Sequence, residues 1–125
     1  MALRYLLDSV ILIDVLNGMD SAVKWMSRLN RGEAAISVIT VAEVLSGAAE
    51  GEVDLVDELF ARFDIIGIDE RTARKAAELR VAEHWKLPDA FQAAIANGNG
   101  LKLVTRNTKD FPPRKYSFVL IPYHS

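Results

Sequence analysis

The sequence predicts an α/β fold, a three-layer α/β/α sandwich with a central, mostly parallel sheet of about five strands. Two observations support this prediction. Short apolar runs recur along the chain, and segments with helical spacing of apolar residues separate them. Strands that alternate with helices pair in parallel, and helices then cover both faces of the sheet. The chain has 125 residues, 50% hydrophobic and 26% charged, which is typical of one globular domain spanning residues 1–125.

The chain is predicted to begin with a strand at residues 3–7, followed by a helix at residues 10–16. The polar pair Asp8-Ser9 separates the two elements and provides groups that can cap the helix. Asn17-Gly18 then ends this helix, because glycine is favoured just after a helix C-terminus. Apolar residues at helical spacing predict a second helix over residues 21–30.

The next elements are a strand at residues 34–38 and two helices. Thr40-Val41-Ala42-Glu43 matches the capping-box pattern and predicts that a helix starts at Thr40 and runs to about residue 49. Glu43 would then lie in the first turn of this helix. A further amphipathic helix is predicted from about residue 52 to residue 63.

The second half of the chain repeats the alternation of strands and helices. An apolar strand at residues 65–68 precedes a long helix at residues 70–85, and Pro88 begins another helix. Residues 101–105 form the fourth predicted strand. The last strand is predicted between residues 116 and 121, after a polar loop.

Composition and charge exclude several kinds of function. The chain contains no Cys, which excludes disulfides, thiolate zinc sites and cysteine nucleophiles and fits a cytoplasmic protein. The N-terminal apolar run is too short for a signal peptide or a membrane span, so no membrane association is expected. The net charge is −2 and the pI about 5.7. Any contact with nucleic acid must therefore be local or assisted by a metal ion.

Acidic and amide side chains follow the predicted strands. Asp8 ends the first strand, Glu43 and Asp89 lie in helices that follow strands or loops, and Asn107 and Asp110 follow the fourth strand. In open parallel sheets, ligands bind beyond the carboxyl ends of the strands, so these side chains are expected to share one edge. Each also has a structural explanation as a helix cap, a capping-box acceptor, a helix-dipole partner or a turn residue.

Three carboxylates in one pocket repel one another and raise their own pKa values unless a cation neutralises them. Mg²⁺ and Mn²⁺ prefer oxygen ligands and need few carboxylates beside a substrate phosphate. The set therefore predicts a Mg²⁺ or Mn²⁺ site used for phosphoryl chemistry.

Four segments resemble the signatures of the PIN-domain family, and in particular the VapC-type toxin ribonucleases. They are Tyr5-Leu6-Leu7-Asp8-Ser9, Ser37-Val38-Ile39-Thr40-Val41-Ala42-Glu43, Leu87-Pro88-Asp89-Ala90 and Val104-Thr105-Arg106-Asn107. The resemblance implies a metal-dependent endoribonuclease in which Asp8, Glu43 and Asp89 match the acidic metal ligands.

The resemblance also implies roles for residues around these ligands. Asn107, or Asp110 if it turns inward, would supply the fourth corner of the site. The hydroxyl groups of Ser9, Thr40 and Thr105 would support the ligands from behind. The chain departs from the family pattern at Val10 and Asn107, where relatives commonly have Asn and an acid, so weakened activity is an open alternative.

The family resemblance further implies three partners. These are an RNA substrate, a VapB-like antitoxin helix bound in an apolar groove of the early helices, and a second copy of the chain in a homodimer. Arg106 and Lys109 lie next to the proposed metal site and are candidate contacts for RNA phosphates.

Two other functions stay open from the sequence alone. A PIN-like fold without catalysis would leave a protein-binding module. A receiver-like signalling domain also gathers acids around Mg²⁺, although Asp8 here lacks the second acid that such a pocket needs.

Overall fold

Five strands and six helices make up residues 2–124, the part of the chain that the computed structural model describes. The strands are β1 (Tyr5–Leu7), β2 (Ala34–Ser37), β3 (Asp64–Ile66), β4 (Lys102–Val104) and β5 (Val119–Leu120). The helices are α1 (Ser9–Leu16), α2 (Asp20–Ser27), α3 (Val38–Gly47), α4 (Val53–Phe60), α5 (Glu70–Glu83) and α6 (Leu87–Gly98).

The strands form one sheet in the order β3-β2-β1-β4-β5, and every neighbouring pair is parallel. The chain builds the sheet outward from β1 in one direction and then returns to add β4 and β5 on the other side. The order therefore reverses between β1 and β4, where open α/β sheets bind their ligands. Asp8 directly follows β1 and Thr105 directly follows β4 at this point, and the Asp8 N–H donates to the Val104 carbonyl at 2.9 Å.

Two apolar clusters lie on opposite faces of the sheet. Consecutive strand residues point to opposite faces, and Leu6 belongs to the cluster beneath α5 and α6, whereas Leu7 belongs to the cluster beneath α1 to α4. Leu103 and Val104 divide in the same way. All four are completely buried. The predicted α/β/α sandwich with a parallel sheet is thereby confirmed.

Helix α3 starts earlier than the sequence predicts. The helix begins at Val38, because the Ser37 hydroxyl accepts a hydrogen bond from the Thr40 N–H at 3.2 Å and acts as the N-cap. The predicted capping box at Thr40 is therefore wrong, and Glu43 lies in the second turn of α3, not in the first. Thr40 is instead a buried residue inside the helix.

The C-terminal strand is much shorter than predicted. Only Val119 and Leu120 pair with the sheet, because the preceding residues form turns whose aromatic side chains pack into the core. Tyr116 and Phe118 contact one another and Phe111 at ring-centroid distances of 5.9, 6.4 and 6.5 Å. Within residues 2–124, no helix has the length and apolar character needed to cross a membrane.

Candidate active site

Asp8 is the most buried carboxylate at the carboxyl edge of the sheet. It follows β1, caps α1, and is 8% exposed. Its Oδ2 accepts a hydrogen bond from the Thr105 hydroxyl at 2.7 Å, and its Oδ1 accepts one from the Ser9 N–H at 2.9 Å. Burial raises the pKa of Asp8, and the hydrogen bonds from Thr105 and Ser9 offset part of that rise. These neutral donors orient the carboxylate without cancelling its charge.

Glu43 and Asp89 approach Asp8 from the two helices that cover opposite faces of the sheet. Burial raises the pKa of Glu43, the Ser9 hydroxyl lowers it, and the Asp8 charge raises it further. Burial, together with the charges of Asp8, Asp110 and Glu43, raises the pKa of Asp89 to about 6. Lys86 lowers it. Carboxylates from four parts of the chain therefore share one electrostatic field.

The donor chemistry of this acidic edge fits a hard divalent cation. The ion pairs found within residues 2–124 engage other carboxylates, so Asp8, Glu43, Asp89 and Asp110 have no salt-bridge partner there. In the same described part, no three His, Asp or Glu side chains are already arranged to hold a metal ion.

A buried glutamine that the sequence analysis missed connects the elements beneath Asp8. The Gln92 side chain is 1% exposed, accepts a hydrogen bond from the Ser37 hydroxyl at 2.7 Å and donates to the Thr40 hydroxyl at 2.8 Å. Its Nε2 also lies 3.4 Å from Asp8 Oδ1, at the long limit for a hydrogen bond. Asp89 and Gln92 are three residues apart on α6, a spacing that places both on one helix face.

Thr40 has a different role from the one expected, whereas Val10 agrees with its expected departure from the family pattern. The Thr40 hydroxyl donates to the Leu7 carbonyl at 3.3 Å and contacts Asp8 only through Gln92. Val10 packs against the apolar cluster beneath α1 to α4. The polar support that relatives commonly have at position 10 is absent, as the sequence indicated, and the Gln92 amide is the group that approaches Asp8 from the opposite side of the sheet.

Asn107 and Asp110 form a closed turn after β4. Asn107 Oδ1 accepts from the Asp110 N–H at 3.1 Å, and its Nδ2 donates to Asp110 Oδ2 at 2.9 Å. The Trp85 indole N–H donates to the Asp110 carbonyl at 2.9 Å and holds the turn from the other side. The Asn107 amide oxygen is therefore already engaged. The Asp110 carboxylate lies close enough to raise the pKa of Asp89.

Arg106 points away from the acidic edge. Its Nε and Nη2 donate to the two carboxylate oxygens of Asp14 at 2.6 and 3.0 Å, and the Tyr123 hydroxyl donates to the same carboxylate at 2.9 Å. Lys109, the other candidate RNA contact, is exposed. The sequence offered one signal for this cluster, because Asp14 is a lone charge in the otherwise apolar α1 and a buried charge needs a partner.

Comparisons with known proteins agree with this architecture. The sequence model of the PIN domain matches residues 5–113. The chain is 34% identical over 113 residues to Ribonuclease VapC10 of Mycobacterium tuberculosis, covering 86% of this chain and 85% of that protein. It is 26% identical over 119 residues to the tRNA(fMet)-specific endonuclease VapC of Shigella flexneri, covering 87% and 90%. A chain of the toxin-antitoxin complex from Klebsiella pneumoniae superposes with a TM-score of 0.89 at 35% identity, covering 98% and 100%.

Proposed function

Because this chain belongs to the PIN domain family, we propose that it is a Mg²⁺- or Mn²⁺-dependent endoribonuclease, the toxin of a VapBC-type toxin-antitoxin pair. Its substrate would be RNA in the cytoplasm. The observation that carries the proposal is the convergence of Asp8, Glu43, Asp89 and Asp110. The charge of Asp8 raises the pKa of Glu43, the charges of Asp8, Asp110 and Glu43 raise the pKa of Asp89, and none of the four has a salt-bridge partner in residues 2–124. The receiver-like alternative loses its support, because the family match covers almost the whole chain.

Asp8, Glu43 and Asp89 are the residues proposed to hold the metal ion, with Asp110 and Asn107 at the fourth corner. A divalent ion bound there supplies positive charge to the scissile phosphate and lowers the pKa of an attacking water. Thr105 fixes Asp8 through its hydroxyl, at 2.7 Å from Oδ2. Ser9 supports two carboxylates, because its N–H donates to Asp8 and its hydroxyl lowers the pKa of Glu43.

The ionisation of Asp89 links metal binding to pH. Its pKa of about 6 leaves the carboxylate mostly ionised at neutral pH and protonated in mild acid. Protons therefore compete with the metal ion for the site below about pH 6. RNA cleavage with limiting Mn²⁺ should fall in this range, and saturating Mn²⁺ should shift the fall to lower pH.

An apolar groove between α1, α3 and α4 is the proposed site of the VapB-like antitoxin. Ile13 and Leu16 of α1, Val44 of α3 and Leu55 and Val56 of α4 line it. Ile13 is 38% exposed and Leu55 53%, so these apolar side chains are not covered by the protein's own core. An amphipathic helix can place its apolar face in such a groove. The sequence relative of known structure at 35% identity was solved as a toxin-antitoxin complex.

The homodimer remains a proposal of the same kind. Val81 and Leu87 flank the α5–α6 connection and are 76% and 44% exposed. They lie outside the antitoxin groove and offer a second apolar surface to another copy of the chain. Light scattering of the purified chain should give twice the monomer mass of 13.9 kDa, and a monomeric mass would refute the dimer.

The alternative that a degenerate site leaves only a protein-binding module is tested by one comparison. Wild type and Asp8→Asn are incubated with a mixed RNA pool that includes tRNA, with and without Mn²⁺. Asp57→Asn, which removes an exposed carboxylate of α4, is the matched control. The proposal predicts Mn²⁺-dependent cleavage by wild type and Asp57→Asn and none by Asp8→Asn. Equal cleavage by wild type and Asp8→Asn, or none by either, would refute it.

The RNA target requires a separate experiment in cells. After brief induction of wild type or Asp8→Asn, the 5′ ends of cellular RNA are sequenced. Ends that appear only with wild type identify the cleavage sites. The Shigella flexneri relative is named a tRNA(fMet)-specific endonuclease, so we propose that tRNA is the first substrate class to inspect.

A further inference from the structure

Asp14 is a buried carboxylate that the proposed reaction does not use. It is 4% exposed and projects from the apolar helix α1. Arg106 pairs with both of its oxygens at 2.6 and 3.0 Å, and the Tyr123 hydroxyl donates to it at 2.9 Å. The three residues come from α1, from the segment after β4 and from the C-terminal segment. We call this group the Asp14 cluster.

The contacts in the Asp14 cluster favour the protonated forms of Arg106 and Tyr123. The hydrogen bond to Asp14 and its charge raise the pKa of Arg106, and burial together with Asp14 raises the pKa of Tyr123. Both donors therefore keep their protons at neutral pH. A carboxylate of this burial is stabilised when it is paired and hydrogen-bonded, as Asp14 is. The geometry is accordingly rigid, since Arg106 meets it with two parallel N–H groups.

Arg106 lies directly between two residues of the acidic edge. Thr105 donates its hydroxyl to Asp8 Oδ2 at 2.7 Å and accepts a hydrogen bond from the Asn107 N–H at 3.0 Å. The two neighbours of Arg106 therefore both belong to the acidic edge. The Thr105 hydroxyl orients Asp8, and Asn107 is the first residue of the Asn107–Asp110 turn. Asp8 caps the N-terminus of α1, and Asp14 is the sixth residue of this helix. One helix therefore anchors the segment at two points.

We propose that Asp14 and Tyr123 are positioning residues of the ribonuclease site, acting through Arg106 to hold Thr105 against Asp8 and Asn107 against Thr105. This inference rests on the proposed function. It assigns Arg106 to the support of the metal ligands, in place of the RNA contact that the sequence indicated. Because two of its nitrogens are bound to Asp14, binding a phosphate with the same groups would require breaking the pair.

Four variants distinguish positioning from RNA contact. Arg106→Lys keeps the charge but loses the paired N–H groups, Asp14→Asn keeps the shape but loses the charge, and Tyr123→Phe removes one hydrogen bond. The fourth is the double variant Asp14→Asn/Arg106→Lys. For each we measure kcat and KM at two salt concentrations and Mn²⁺ affinity by calorimetry. Lys109→Ala serves as the matched variant of an exposed cation on the same loop.

Positioning predicts losses in kcat and Mn²⁺ affinity, because partners behind metal ligands typically contribute about 10- to 100-fold. Arg106→Lys and Asp14→Asn should each lower kcat and Mn²⁺ affinity by an amount in that range, with little change in KM. Tyr123→Phe should lower both quantities less. The double variant should lower them no more than either of its single variants does. An RNA contact predicts a raised KM, a weaker salt dependence and multiplicative losses, as expected for Lys109→Ala. A raised KM with a weaker salt dependence in Arg106→Lys would overturn the inference. An unchanged kcat in both Arg106→Lys and Asp14→Asn would overturn it as well.

A metal-free measurement keeps the inference separate from the proposed function. In amide ¹H–¹⁵N spectra without metal or RNA, Tyr123→Phe should shift the signals of Thr105, Asn107 and Asp8. Unchanged signals at these residues would refute positioning even if the enzyme is active. If wild type neither cleaves RNA nor binds Mn²⁺, the proposed function fails, whereas the spectra still show whether the Asp14 cluster positions Thr105.

Discussion

Asp8 caps α1 and Asp14 lies six residues further along the same helix. The two are buried to a similar extent and have opposite surroundings. Asp8 is 8% exposed and Asp14 4%. Asp14 meets a guanidinium and a phenol, whereas Asp8 accepts hydrogen bonds only from neutral groups and faces other carboxylates. The molecule thus compensates one buried charge internally and leaves the other uncompensated. An uncompensated group of acids is what a bound cation requires.

The largest expected effect separates the two aspartates by activity. Asp8→Asn should lower RNA cleavage by at least about 1000-fold, because a lost ligand removes several kcal/mol of transition-state stabilisation by the metal. Its fold should survive, since the substitution also removes repulsion from Glu43 and Asp89. An RNA cleavage assay measures the loss of activity, and thermal unfolding of the metal-free protein shows whether the fold is retained. RNA cleavage by Asp8→Asn at the wild-type rate would show that activity does not need the Asp8 carboxylate and would refute this side of the comparison.

The next effect separates them by stability. Asp14→Ala should lower the free energy of unfolding by about 2 to 3 kcal/mol, because it leaves Arg106 and Tyr123 without their partner. The loss is smaller than for a fully buried pair, since the Arg106 side chain is 27% exposed. Urea unfolding of metal-free Asp14→Ala and Asp8→Ala measures the contrast. Equal destabilisation by both substitutions would show that the two carboxylates are not differently compensated.

Gln92 tests the neutral support beneath Asp8. Gln92→Met keeps the volume but removes the acceptor of the Ser37 hydroxyl and the donor to Thr40. A buried polar group that loses its partner costs about 1 to 3 kcal/mol, and Thr40 keeps the Leu7 carbonyl, so we expect about 1 to 2 kcal/mol. Urea unfolding measures this change. A stability equal to wild type would mean that the buried network contributes nothing to the edge.

The smallest effect is the pH dependence of the metal-free protein. The folded-state pKa of Asp89, about 6, lies above its ordinary 3.8, so the unfolded chain releases this proton first. The contribution of Asp89 to stability should therefore be fully present below about pH 4. It should fall by on the order of 1 kcal/mol as pH rises to about 6, after a discount for partial exposure. Asp89→Asn should flatten this dependence in chelator, and Mn²⁺ should reverse it. Stability that rises through this window with Asp89 intact, relative to Asp89→Asn, would contradict the pKa.

The sequence predicts the fold well because the relevant information is local. Apolar strands alternate with helices, and this alternation requires a parallel sheet with covered faces. The start of α3 could not be chosen in the same way, because Ser37 and Thr40 are both suitable caps. The structure selects Ser37, whose hydroxyl also donates to Gln92 from 55 residues away. The short β5 likewise reflects aromatic packing that no local pattern encodes.

In the candidate site, too, local sequence patterns could be interpreted whereas contacts between distant residues could not. The proximity of Asp8, Glu43 and Asp89 could be predicted, because acids that follow strands of a parallel sheet share its carboxyl edge. Their role as metal ligands stays a prediction. Their supports could not be predicted, because each depends on partners distant in the chain. Gln92 approaches Asp8 across 84 residues and Arg106 pairs with Asp14 across 92. Arg106 illustrates the difficulty, since its position beside the site suggests RNA contact while its side chain lies against Asp14.

Calorimetric titration with Mn²⁺ tests most directly whether the acidic edge is left uncompensated in order to hold a cation. Wild type and the exposed-carboxylate control Asp57→Asn should bind with measurable heat at pH 7, and their affinity should fall at pH 5, below the Asp89 pKa of about 6. Asp8→Asn and Asp89→Asn should lose most of the binding. No heat from wild type at millimolar Mn²⁺, or equal binding by wild type and Asp8→Asn, would contradict the account.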